Sequence, residues 1–392
     1  MSTRMPASDG SPLLMTNTAA TAAGAKAPEI DILLVACMKH IASDLHLKAG
    51  DEPILRIYGK IHRLGKNRLT IDSIERMIFE IMAPEQVRSY KERGSFDFAY
   101  ESGNAGRFRI NVFRQRGITS VACRRVVTTI PRLEELNLPL SLKKIADFDA
   151  GLVLVAGITG SGKSTTIASV VDMINHTQAR HIVTVENPIE YTYHDDKSFV
   201  NQREVGVDVP TFNEALKYVL RQDPDVIVIG EMRDQETFDT ALMAAETGHL
   251  VFGTIHSGSA AQTISRVLDY FPQDKHHYVR QQLFFNLRAI IVQRLLRGIR
   301  PEVPRVPAVE ILYCNSTVKK LINESEDQKI PDVIRGSTKD GMQDFNQSLA
   351  ELVLKKYVSK AEAMESSSNP GALEMALKGI TLKEDTGRII GG

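Results

Sequence analysis

Three observations predict an α/β protein in two parts, a small α+β domain followed by a larger domain built on a mainly parallel sheet. From residue 151 onward, short apolar runs rich in β-branched residues alternate with helical stretches. Such runs fit strands buried on both faces and joined by helices, the pattern of a parallel sheet. One of them, "GLVLVA" at 151–156, leads directly into "GITGSGKST" at 157–165, after which a helical pattern begins. Residues 30–145 instead mix helices with alternating strands and carry no comparable loop.

The elements follow in order. Residues 1–28 are rich in Ala, Ser, Thr, Gly and Pro without periodicity and read as a disordered leader. The small domain is expected over 29–130. In it "EIDILLVACMKHIA" and "TIDSIERMIFEIM" read as helices, and "SDLHLKAGDEPILRIYGKIHRL" as strands broken by turns. "FDFAYES" and "RFRINVFRQ" alternate as a hairpin around Ser102–Gly106. A proline-bearing linker is expected over 131–145, and the larger domain over 146–365. There "GLVLVAG", "HIVTVEN", "VIVIGE" and "LVFGTIH" read as strands, and Thr211 with Glu214 as a capping box. Val279, Leu283, Leu287, Ile291 and Leu295 recur every fourth residue, which predicts one long amphipathic helix over 276–297. Residues 366–392 read as a flexible tail.

Composition narrows the class. The 392 residues carry 48 Lys+Arg and 48 Asp+Glu, so no global charge favours nucleic acid or an anionic membrane surface. Cys37, Cys123 and Cys314 are scattered, against a zinc clip or disulfide framework and in keeping with a reducing compartment. No apolar run approaches the roughly 18 residues of a membrane span, and no basic-then-apolar signal opens the chain. The expected location is cytoplasmic.

Gly157, Gly162, Lys163 and Ser164 fit G-x-x-x-x-G-K-[ST]. Glycines let the backbone turn its N–H groups inward on a β-phosphate; Lys163 would reach the β/γ-phosphates and Ser164 would sit on Mg²⁺. The expected binding set is Gly157, Ile158, Thr159, Gly160, Ser161, Gly162, Lys163, Ser164 and Thr165, for ATP or GTP with magnesium. Hydrolysis needs a second strand that brings acid to the site. "DPDVIVIGEMRD" at 223–234 ends on Gly230, where an aspartate is usual, and then Glu231. Glu231 would act on Mg²⁺ through water or on the attacking water itself. "VTVENPIEY" offers Glu186 and Glu190 at the same sheet edge, where a carboxylate can accept a proton. His249 and His256 flank another strand, as a phosphate sensor or as hydrogen-bonded structural residues. Alternation puts Arg107 and Arg109 on one face of a strand, suited to transition-state charge supplied from a neighbouring domain or subunit.

"SDLHL", "GRFRINVF", "GITGSGKST", "VTVENPIEY", "NQREVG", "RQDPDVIVIGEMRD" and "AAETGHLVFGTIHS" together resemble, in order, the motifs of the type IV pilus retraction (twitching motility) ATPases, within the type II/type IV secretion ATPase superfamily. The resemblance implies a PAS-like N-terminal domain, a RecA-like ATPase domain, ATP and Mg²⁺ as ligands, and a cytoplasmic homo-hexamer. It also implies an inner-membrane pilus platform as partner, with a paralogous retraction ATPase as a further one and no nucleic acid. Residues 157–165 resemble the Walker A loop. Glu186 to Glu190 resemble the acidic box, with Glu190 the first choice as general base, and Glu231 matches the Walker B glutamate. His249 and His256 match the histidine box, while Arg107, Arg109 and Arg124 fall where inter-domain or inter-subunit arginines occur. Two features depart from the pattern: Asn187 stands where the box has aspartate, and "STVKKLINESEDQ" only loosely follows the retraction-specific helix. "DGMQDFNQSL" is closer to the accessory paralogue. A Cys₄ insertion common in assembly and type II secretion ATPases is missing, which favours retraction. A nucleic-acid translocase would need a basic, aromatic channel, whereas this chain is neutral with 6% aromatics. An ATP-ordered scaffold remains the non-catalytic alternative.

Overall fold

The computed structural model describes residues 27–57, 59–126 and 129–379. The expected leader therefore falls almost wholly outside the described residues, as does the last part of the expected tail. Two compact units divide between Arg125 and Val126.

The smaller unit begins with α1 (Glu29–Lys39), β1 (Asp44–Lys48), β2 (Ile54–Ile57) and β3 (Lys60–Arg63). It continues through α2 (Ile71–Glu80), α3 (Pro84–Arg93), β4 (Ser95–Ser102), β5 (Gly106–Gln115) and β6 (Ile118–Arg125). Its antiparallel sheet runs β3-β2-β1-β6-β5-β4. Alternation along β5 buries Phe108, Ile110 and Val112 against Leu34, Ile74 and Ile78 of the helices, leaving Arg107 and Arg109 on the other face. The sequence pattern does not announce α3, because "PEQVRSYKER" carries only Val87 and Tyr90 as apolar anchors. Its ends are set locally: Pro84 sits in the first turn, and Gly94 closes the helix in the left-handed region at φ 77°.

The larger unit opens with a 3-10 segment, Leu140–Asp147, then β7 (Gly151–Ala156), α4 (Lys163–Thr177), β8 (His181–Glu186) and β9 (Phe199–Glu204). Next come α5 (Phe212–Val219), β10 (Val226–Ile229), α6 (Gln235–Glu246), β11 (Leu250–Ile255), α7 (Ala260–Leu268) and α8 (His276–Asn286). β12 (Leu287–Arg300) and β13 (Val303–Tyr313) complete the sheet. The chain then runs through α9 (Ser316–Asn323), α10 (Ile330–Gly336), α11 (Phe345–Leu354), α12 (Lys360–Ser366) and α13 (Pro370–Leu377). Strand order is β13-β12-β7-β11-β10-β8-β9, all neighbours parallel except β12 with β13. Every residue of β7, β10 and β11 is buried, as a sheet covered on both faces requires. Parallel strands send their C-terminal ends to one edge, and the loops carrying the candidate acids leave the sheet there.

Three expectations are corrected. The helix predicted over 276–297 stops at Asn286, and β12 begins at Leu287. Beyond that point Ala289, Ile290, Ile291 and Val292 are consecutive and all buried, so no single helix face accommodates them. As a strand between β7 and β13 they bury both faces and satisfy their backbone groups. The linker expected over 131–145 instead contributes Leu133, Leu138, Leu142 and Ile145 to the larger unit's core. Within the expected flexible tail, α13 is an ordered helix whose Leu373 is fully buried. At α5 the Thr211 hydroxyl accepts the Glu214 N–H, which is one half of the expected capping box.

Candidate active site

The phosphate-type loop leaves β7 at Gly157 and enters α4 at Lys163, with Gly162 as the left-handed N-cap. Both glycines are required by space as well as by φ, 143° and 91°. A Cβ at Gly157 would lie 2.4 Å from the Gln293 carbonyl oxygen, and one at Gly162 would lie 2.7 Å from Gln293 Nε2. Ile158, Thr159 and Gly160 are exposed, whereas Ser161 is buried. The first N–H groups of α4 lack intrahelical acceptors and mark its positive end, where anions bind. Lys163 Nζ donates to the carbonyls of Gly157 at 2.9 Å and Ile158 at 3.1 Å. Its removal from water holds its pKa below the ordinary lysine range, with Glu231 and Glu190 acting in the opposite direction. Thr165 shares a 2.9 Å hydrogen bond with the Tyr191 hydroxyl, which ties this loop to the acidic one.

The acidic loop leaves β8 at Glu186. Its carboxyl turns toward β9 and accepts from the Thr184 hydroxyl at 2.7 Å and the Gln202 amide at 3.2 Å. Burial pushes Glu186 up to about 6, against those hydrogen bonds. Gln202 also donates to the Tyr191 carbonyl at 2.8 Å and accepts the Tyr193 N–H at 3.0 Å, so one β9 side chain fixes three points of the loop. Glu190 is exposed at its tip.

Glu231 follows β10. A Cβ at Gly230 would come within 3.2 Å of both Glu186 Cα and the Val185 carbonyl, which explains why the usual aspartate does not fit there without a shift. Thr254 on β11 holds the next turn, donating to the Gly230 carbonyl at 2.6 Å and accepting the Met232 N–H on its own carbonyl at 2.9 Å. Glu231 is thereby presented between Arg233, to which it is hydrogen-bonded, and His256 Nε2 at 3.2 Å. The Arg233 hydrogen bond, chiefly, holds this carboxyl below the ordinary glutamate range.

These side chains surround one cavity of about 270 Å³, lined among others by Lys163, Ser164, Glu186, Asn187, Glu190, Glu231, Arg233 and His256. Every residue lining it belongs to the larger unit. Among the described residues no cluster of three or more His, Cys, Asp or Glu side chains is arranged to hold a metal by itself. Ser164 and Glu231 offer oxygen donors alone, a set that suits Mg²⁺ when phosphate oxygens and water complete its shell.

Not every expected residue arrives there. His249 precedes β11 and His256 follows it, so about 20 Å of strand separates them at the usual rise. His249 Nδ1 lies 2.9 Å from the Ala244 carbonyl and 3.1 Å from Thr247 Oγ1, closing the turn out of α6 at the opposite end. Within this chain His249 is a turn residue, in keeping with the hydrogen-bonded structural reading, while His256 lines the cavity. The three arginines lie in the smaller unit. Arg109 Nε is 3.6 Å from Asp97, and Arg124 Nε donates to Asp44 at 2.9 Å. Arg107 stands opposite Glu101 in the β4–β5 register. Conversely, Arg233, Tyr191, Gln202 and Gln293 emerge only from the structure. The first three lie within recognisable motifs, whereas Gln293 lies in the segment whose four-residue spacing predicts a helix.

The family model described as "Type II/IV secretion system protein" matches residues 22–329. The chain is 41% identical over 342 residues to the type IV pilus retraction ATPase PilT of Pseudomonas aeruginosa, covering 87% of this chain and 99% of that protein. To the type IV pilus ATPase PilU of the same organism it is 36% identical over 350 residues, covering 89% and 91%. Among solved structures it matches the pilus retraction motor PilT with bound ADP, at TM-score 0.82 and 43% identity over 89% of this chain and 99% of that one. The Legionella pneumophila ATPase DotB matches at TM-score 0.74 and 26% identity, covering 87% and 96%. A P-loop, a parallel sheet and an acid-lined cavity thus coincide with near full-length similarity: the chain belongs to the type II/type IV secretion ATPase superfamily, in its pilus retraction ATPase family.

Proposed function

We propose that this chain is a Mg²⁺-dependent ATPase that works as a homo-hexameric motor for type IV pilus retraction at an inner-membrane platform. The observation that carries the reading is the convergence of Lys163, Ser164, Glu190, Glu231 and His256 on one cavity. Similarity to PilT and PilU supports the assignment to retraction. In this reading Lys163 exchanges its loop carbonyls for β/γ-phosphate oxygens. Ser164 and Glu231 would hold Mg²⁺, whose charge offsets that developing on the transferred phosphoryl group. Glu190, exposed and free of the contacts that occupy Glu186, accepts the proton of the attacking water. His256 reports the state of Glu231 to the loop that opens α7. Arg107, Arg109 and Arg124 stabilise the transition state from the small domain, within one subunit or across a ring interface. Arg109 and Arg124 must release their acid partners to do so.

The decisive experiment is retraction imaging in a strain lacking the gene. Complementation by the intact chain should restore retraction and Glu231→Gln should not; restoration by both would refute the motor reading. The arginine role has its own test. Subunits carrying Lys163→Ala should be inactive alone, as should subunits carrying Arg107→Ala with Arg109→Ala. Mixing the two should recover part of the turnover if the arginines act in trans. Full activity of the arginine variant by itself would remove them from the mechanism.

A further inference from the structure

We infer that Gln293 is a positioning residue that sets the phosphate loop in its nucleotide-receiving conformation. The inference rests on the nucleotide reading of the cavity and adds a residue to it. In the β12–β7 register Val292 pairs with Ala156, which brings Gln293 level with Gly157, where the loop leaves the sheet. Gln293 is 3% exposed, and both ends of its amide are engaged. Nε2 donates to the Ser161 carbonyl at 2.7 Å, and Oε1 accepts the Thr166 hydroxyl at 2.7 Å. The Ser161 carbonyl can only accept, so the amide has one workable orientation.

The consequence lies in peptide geometry. A trans peptide points its C=O and N–H in opposite directions. Drawing the Ser161 carbonyl to Gln293 therefore turns the Gly162 N–H away from β12. That N–H belongs to the left-handed residue preceding α4, the arrangement in which successive N–H groups converge on an anion. The same amide fixes the first turn of α4 through Thr166. Its bulk also leaves no room for a side chain at Gly162, while the Gln293 backbone carbonyl does the same at Gly157. One buried side chain thus ties the end of the loop to the first turn of α4, and it does so without belonging to the loop's own motif.

The test uses the full-length chain, Mg-ADP titration and hydrogen exchange. Gln293→Met keeps the volume and removes both hydrogen bonds, while Gln293→Glu sets an acceptor against the Ser161 carbonyl. Both should weaken ADP binding by about tenfold or more, the expected loss when a buried carbonyl is left unpaired. Exchange should rise over residues 157–166 and stay unchanged in the other strands. Val292→Ala, in the adjacent core position, should lower Tm yet leave ADP affinity within about twofold, which separates positioning from general stability. If the Gln293 variants do not fold, Thr166→Val carries the test, since it removes one arm of the clamp and should also weaken ADP. ADP affinity equal to the parent's in a folded Gln293→Met, or in Thr166→Val, would overturn the clamp. Failure of the parent itself to bind ADP would instead overturn the nucleotide reading, and the clamp with it.

Discussion

Glu186 and Glu231 leave the same edge of the sheet from neighbouring parallel strands, yet they occupy opposite electrostatic settings. Val185 pairs with Ile229, so the two strand ends lie side by side. Glu186 turns inward to neutral donors, Thr184 and Gln202, and burial raises it to about 6. Glu231 turns outward to Arg233 and His256 and is held in its charged form. Arrival at the catalytic edge therefore does not decide what an acid does there; its partners do. Glu231 is suited to a cation. Glu186, with Gln202, is suited to shaping the loop that presents Glu190.

That contrast can be broken most directly through turnover. Glu190→Gln should retain nucleotide and slow hydrolysis about 10²–10⁴-fold, the usual cost of a lost general base. Glu186→Gln preserves the hydrogen-bonding shape and should cost far less than about 10²-fold. Single-turnover hydrolysis would reverse the assignment if Glu186→Gln proved the slower of the two.

A smaller effect is expected from Arg233→Ala. Without the guanidinium, Glu231 should titrate closer to its ordinary value. Because the folded-state pKa is depressed, the benefit of the anion is present at neutral pH and lost as pH falls through that value. The variant should therefore lose activity at a higher pH on the acid side than the parent does. A pH–kcat profile at saturating nucleotide would show it, and superimposable acid limbs would count against Arg233 as the controlling partner.

The smallest effect concerns stability. Glu186 is raised from 4.5 to about 6 in the folded chain. Its favourable contribution is complete below the lower value and is lost as pH rises through the upper one. Over that interval the parent should lose about 2 kcal/mol relative to Glu186→Gln, from 1.36 kcal/mol per pKa unit. Denaturant unfolding on either side of the window measures the difference; equal pH slopes in the two chains would show that Glu186 does not titrate as the geometry implies.

Much of this site is legible from local spacing. The glycines of 157–162, Lys163 and Ser164 form a loop whose backbone demands are met within a few residues. The apolar runs before Glu186, Glu231 and His256 announce strands that end at one edge, and a chain met as sequence alone already discloses the nucleotide chemistry. Tertiary structure decided the rest. The four-residue spacing over 276–297 cannot distinguish a helix from a strand buried on both faces, because periodicity reports a one-sided environment. Only pairing with β7 makes 287–300 a strand, and only that strand brings Gln293 to a loop 132 residues away in sequence. The strand between His249 and His256 is legible in the sequence, but only the fold puts His256 at the cavity and leaves His249 closing a turn at the other end of β11. The charge states of Glu186 and Glu231 were likewise beyond local reading. They depend on Gln202, Arg233 and the depth of each carboxyl, and desolvation and donor geometry are properties of the folded chain.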